Sequence, residues 1–189
     1  MKKRIIIICR HGKSNEREDD INRIINQDGI EETKDFTEVL ITTLKERFDI
    51  TMTSNNTVFI CSPAKRTVQT MEIMLQRLNI KSYETDEKLY SLHGNKKHFN
   101  YLEEKIVSEL ANYEIVFIMA HDETAYFLTW VTKGKQLDDP TDIRDPAHNL
   151  LGNHKNPYIH YGLNESHCFI CDCDNPELLR ASPYGLFTR

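Results

Sequence analysis

Three short apolar runs, at residues 4–9, 57–61 and 115–120, limit the folds open to this chain. Each is rich in Ile, Val or Phe and too short for a helix, so each predicts a buried strand. A weaker strand candidate covers residues 80–85. Helical patterns lie between them. Phe36, Val39, Leu40 and Leu44 follow an Asp28-Gly29 turn, and Val68, Met71, Leu75 and Leu78 follow Ser62-Pro63. Leu102, Ile106, Val107 and Leu110 make a third set, and residues 125–131 a fourth. Ser62 suits the N-cap of the second helix and Pro63 its first position. Strands alternating with helices predict an α/β three-layer sandwich, with a largely parallel sheet covered on both faces. Residues 158–161 and 167–172 are late strand candidates that complete one side, and the polar segment 133–156 reads as a long loop.

A length of 189 residues fits a single domain spanning 1–189. The formal charge of -5 argues against a nucleic-acid partner, which requires clustered basic charge. No apolar run approaches the ~20 residues of a membrane-crossing helix, so no membrane role is expected. The apolar part of the N-terminal segment stops after five residues at Arg10, short of the roughly 7–15 of a secretory signal. The chain therefore reads as cytoplasmic, with its five cysteines reduced. Cys9 and Cys61 fall inside strand candidates and read as small core residues. Cys168, Cys171 and Cys173 form a CxxCxC run beside His167. Strand alternation places Cys171 and Cys173 on one face and Cys168 on the other, so no metal site is expected.

In parallel sheets, ligands bind outside the carboxyl ends of the strands. Arg10-His11-Gly12-Lys13-Ser14 follows the first run, Ser62-Pro63-Ala64-Lys65-Arg66 the second, and His121-Asp122-Glu123 the third. Two arginines, two histidines and a helix N-terminus at one sheet edge make an anion pocket. Gly12 would let the backbone approach a ligand closely. An imidazole nitrogen in such a pocket is a competent nucleophile toward phosphorus.

The segment Cys9-Arg10-His11-Gly12-Lys13-Ser14 resembles the RHG signature of the histidine phosphatase superfamily, the phosphoglycerate-mutase-like group. Cys61-Ser62-Pro63-Ala64-Lys65-Arg66-Thr67-Val68-Gln69-Thr70 is similar to that family's SP…R…QT segment. Met119-Ala120-His121 resembles its second histidine at a later strand end, and Gly29-Ile30-Glu31-Glu32 its turn into the first long helix. The resemblance covers residues 4–131.

It implies that His11 is a nucleophile that becomes phosphorylated, with Arg10, Arg66 and His121 binding the non-bridging oxygens. Gly12, Ser14, Ser62 and His93 would line the substrate pocket. No metal or cofactor is implied. The family's general acid, a glutamate after a leucine, has no direct counterpart, since Leu89 places Ser91 at that position. Glu87 and Asp122 are the alternatives, with His93 behind them; Asp122 also suits a helix N-cap. The expected substrate is a phosphorylated small molecule or a phosphoprotein, phosphohistidine included, because imidazole needs little help in leaving. The charged segment 13–28 and Lys96, Lys97 and His98 are placed to cover the pocket, the latter three reading first as solvated surface. A mutase-type phosphotransferase and a phospholigand-binding module without turnover are the competing functions. Family mutases are usually longer than this chain. His148, His154 and His160 read as ordinary polar residues.

Overall fold

The computed structural model describes residues 3–14, 19–92, 96–121, 124, 127, 168–173, 178–182 and 185–188. Strand β1 (Ile5–Arg10) leads into helix α1 (Gln27–Phe48), strand β2 (Thr57–Cys61) and helix α2 (Lys65–Leu78). Strand β3 (Glu84–Thr85), a single turn α3 (Lys88–Ser91), helix α4 (Lys96–Leu110) and strand β4 (Ile115–Ala120) follow. Strands β5 (Cys168–Asp172), β6 (Leu178–Ser182) and β7 (Gly185–Thr188) complete the described elements.

All seven strands form one sheet, ordered β3-β2-β4-β1-β5-β6-β7. The pairs β2–β3, β2–β4 and β1–β4 are parallel. Beyond β1 the pairing turns antiparallel, through β5 to β6 and β7. The sheet is therefore mixed, with a parallel half that carries the three apolar runs.

Strand periodicity sorts the core into two layers. Ile5, Ile7, Cys9, Phe59, Phe117 and Met119 pack with Phe36, Leu40 and Leu44 of α1 and Met71, Met74 and Leu75 of α2. Ile6, Ile8, Ile60, Val116 and Ile118 point the other way, onto Phe99, Leu102 and Ile106 of α4 and onto Phe127. Helices thus cover both faces, as the three-layer expectation requires. Each fully buried Ile, Leu or Phe contributes about 1.5–3 kcal/mol by leaving water.

Several local expectations are corrected. Helix α1 starts at Gln27 with Asn26 as its cap, so Asp28-Gly29 forms the first helical turn. Gly29 is required there, because a Cβ would lie 2.2 Å from the Lys13 carbonyl oxygen. Helix α2 starts at Lys65 with Ala64 in the cap position and no side-chain cap, so neither Ser62 nor Pro63 plays the role local rules assign it. The Ser62 hydroxyl is taken by His121 instead. Only Glu84–Thr85 of the 80–85 candidate pairs as strand. Val107 is 65% exposed on the outer side of α4, and His98, read as solvated surface, is buried against Thr124. Cys168 and Cys171 enter opposite layers of the core, as alternation predicts, and Cys173 packs on the Cys171 side. Cys9 and Cys61 are fully buried in the core. The candidate helix at 125–131 (Phe127 apart), the loop 133–156, the strand 158–161 and the late histidines lie outside the described residues.

Candidate active site

Two backbone hydrogen bonds extend the parallel ladder past the last strand residues and fix what emerges there. The His11 amide donates to the Ala120 carbonyl (3.1 Å), and the Ser62 amide to that of Met119 (2.9 Å). The Asp86 amide in turn donates to the Cys61 carbonyl (2.9 Å), drawing the α3 segment toward the same edge. The turn after β1 is seated by the Gly12 amide, which donates to Thr70 Oγ1 (3.0 Å). A Cβ on Gly12 would meet Thr33 Oγ1 at 2.8 Å, so this glycine serves close packing against α1. Ser14 pairs with Ile25 in an isolated antiparallel bridge.

Arg10, His11, Ser62, Arg66 and His121 are all buried at this edge. His11 and His121 stand edge to face, their ring centroids 5.5 Å apart. Arg66 lies between them: its Nε donates to His11 Nε2 (2.9 Å), and its Nη2 donates to His121 Nδ1 (3.2 Å). Arginine can only donate and a carbonyl can only accept, which assigns the tautomers. His11 holds its proton on Nδ1, where it is donated to the Gly12 carbonyl (2.8 Å), and keeps the lone pair on Nε2. His121 accepts at Nδ1, so its neutral form carries the proton on Nε2 and donates it to Ser62 Oγ (2.9 Å). Burial, followed by Arg10 and His121, holds His11 well below the usual imidazole range, with Arg66 adding to the effect. The imidazole is therefore neutral at physiological pH.

Searched against solved structures, the chain superposes on a protein of Agrobacterium tumefaciens provisionally named the phosphohistidine phosphatase SixA. The TM-score is 0.60 at 16% identity, covering 98% of each chain. The protein histidine phosphatase SixA complexed with tungstate matches at TM-score 0.56 and 16% identity, over 95% of this chain and 97% of that one. Phosphoglycerate mutase from Plasmodium falciparum matches at 0.50 and 15%, over 100% and 90%. The chain shares its fold with these phosphatases and with phosphoglycerate mutase. No protein-family model matches the chain, and no curated protein matches it by sequence. At these identities the likeness is one of architecture.

Within this fold, the residues expected from the strand ends fall into two groups. His11, Arg66, His121 and Ser62 are joined by hydrogen bonds. Arg10, the last residue of β1, is close enough for its charge to depress the His11 pKa. Glu87 is exposed at the start of α3, while Asp122 and His93 lie outside the described residues. Among the described residues no group of three or more His, Cys, Asp or Glu converges as a metal site, and no helix is long and apolar enough to cross a membrane.

Two further residues join the site, Asp20 and Tyr90. Asp20 Oδ2 accepts from Arg66 Nη2 (3.2 Å) and from the Tyr90 hydroxyl (2.9 Å). The Tyr90 ring stands edge-on to His121, with centroids 5.7 Å apart. Burial pushes the Asp20 carboxyl up, but Tyr90 and Arg66 together outweigh it and hold the group below its ordinary value. Tyr90 is raised, first by burial and then by that carboxylate. The only sequence signal for them was that segment 13–28 and the segment around Leu89 were each placed near the pocket.

Proposed function

We propose that this chain is a phosphatase that hydrolyses a phosphomonoester, or a phosphohistidine or other phosphoprotein, through a phosphohistidine intermediate on His11. The observation that carries the reading is the tautomer of His11. Its Nδ1 is committed to the Gly12 carbonyl, leaving Nε2 with the lone pair facing Arg66, and the charge of Arg10 acts on the same ring. In this scheme Nε2 attacks phosphorus, the bond to the leaving group breaks, and the leaving group collects a proton. Arg10, Arg66 and His121 receive the non-bridging oxygens, where preorganised donors are worth about 3–4 kcal/mol each. Water then cleaves the P–N bond, restoring His11 and releasing inorganic phosphate. No metal or cofactor enters this scheme. Asp122, next to His121 in the chain, is one candidate for the leaving-group acid. Glu87, exposed at the cap position just before α3, is the other, on equal footing. Proteins named as the phosphohistidine phosphatase SixA share this fold, in keeping with the phosphatase reading. We place the protein in the cytoplasm as a single domain without a nucleic-acid partner.

The experiment is hydrolysis of a chromogenic aryl phosphate, with acid quenching to trap protein-bound phosphate. Wild type should turn over and carry acid-labile phosphate, and His11→Ala should lose activity by a factor on the order of 10^4 with no phosphate trapped. Equal turnover by the two proteins would remove His11 as nucleophile. Phosphate binding without turnover would favour a binding module.

A further inference from the structure

The protein's own groups occupy four of the five N–H donors of Arg66. Its Nε caps the lone pair of His11 Nε2 at 2.9 Å, and its Nη2 reaches both His121 Nδ1 and Asp20 Oδ2, each at 3.2 Å. Its Nη1 donates to the Asp20 backbone carbonyl. Asp20 thus grips the guanidinium at two points while the same group covers the nitrogen that must attack.

Asp20 is itself firmly seated. It belongs to a turn closed by the Asn22 and Arg23 amides on the Asp19 carbonyl, at 3.0 and 2.9 Å. Its neighbour Ile21 accepts from the Lys65 amide at the start of α2 (3.0 Å). Arg23 Nη2 donates to Asp20 Oδ1 (3.0 Å) and Tyr90 to Oδ2 (2.9 Å). The Asp20 side chain is 55% exposed and that of Arg66 5%, so the carboxylate is the outer member of the pair. A carboxylate and a phosphoryl group present similar oxygen acceptors to guanidinium. One group cannot serve both fully.

We infer that Asp20 is a positioning residue that latches Arg66 over His11 in the resting site and is displaced from Arg66 by the incoming phosphoryl group. The inference rests on reading the site as a phosphoryl pocket, and adds that phosphate affinity is set against an internal competitor. A phosphoryl group has three oxygens and more charge than the carboxylate, so it can take the Nη donors and draw Nε–H off His11. The nucleophile is then uncovered only when its target is present.

The sign of one binding change separates this role from simple support of the arginine. Inorganic phosphate would be titrated calorimetrically into wild type, Asp20→Asn, Asp20→Glu and Tyr90→Phe. Asp20→Asn keeps the shape and removes the competing charge, so phosphate should bind on the order of ten-fold more tightly. Tyr90→Phe frees the carboxylate from one partner without changing its charge. It tests the latch independently, with phosphate binding about two-fold tighter or more because a less well-held carboxylate yields more readily. Asp20→Glu restores the charge and should bring affinity back to within about three-fold of wild type. Weaker or unchanged phosphate binding in Asp20→Asn, with wild type binding normally, overturns the latch and leaves the pocket reading intact. Absence of phosphate binding in every protein, together with no trapped phosphohistidine, overturns the pocket reading itself.

Discussion

Along β1, Ile5, Ile7 and Ile8 are 0% exposed, while Arg10 and His11 at its carboxyl end are 2% and 4% exposed. The same strand is equally buried at both places, yet what surrounds it differs completely. The isoleucines lie in two layers of apolar side chains supplied by α1, α2 and α4. His11 meets a carbonyl and an arginine that satisfy its two ring nitrogens, and a second histidine ring edge-on. Burying apolar surface stabilises without regard to direction, whereas burying imidazole and guanidinium is tolerable only when each polar atom finds a partner. The middle of the sheet therefore holds the molecule together, and the strand ends hold a fixed set of donors and lone pairs.

The largest separation between the two regions should come from Phe117→Ala. Phe117 is fully buried and lies 5.4 Å from the Phe59 ring, so its loss should cost about 3–5 kcal/mol in denaturant unfolding. Activity per folded molecule should be preserved. Lost activity at full stability would show that the two regions are not separate.

A smaller effect should appear as pH dependence. His11 has its pKa lowered by folding, so below about pH 6.5 the unfolded chain binds a proton that the folded chain refuses. Stability should then be flat above that pH and fall as the pH drops, until the folded-state pKa is reached. His11→Ala should lessen the slope in a series of urea titrations. A wild-type slope of opposite sign would break the contrast.

The smallest effect belongs to surface pairs that are part of neither region. Arg77 and Glu38 form an ion pair with side chains 51% and 54% exposed. Arg77→Ala should change thermal stability by less than about 1 kcal/mol, and a larger loss would mean that α1 and α2 depend on this pair for their packing.

What could be read from the sequence divides along similar lines. The runs 57–61 and 115–120 match β2 and β4 residue for residue, because continuous apolar stretches signal strands buried on both faces. His11, Arg66 and His121 were legible because each sits at a strand end or one helical turn beyond it. Strands β6 and β7 were missed; in the sequence they are short segments, and their order shows only in pairing with β5 and with each other. The start of α2 was misplaced because a tertiary partner, His121, claimed the hydroxyl that local rules assign to capping. Asp20 and Tyr90 were missed for a related reason. Their link to each other spans 70 residues and that of Asp20 to Arg66 spans 46, and no local spacing encodes such pairs.

The place of β1 in the sheet has a kinetic consequence. Its neighbours are β4, whose first pairing residue is Ile115, and β5, which begins at Cys168. A strand made early must therefore wait for partners made more than a hundred residues later, and contacts of that separation close slowly. Until they close, a fully apolar stretch lies with both edges open, a state prone to self-association. His11, the proposed nucleophile, is tied to the last pairings formed, so a refolding chain should regain much of its helix before it regains the arrangement at the strand ends.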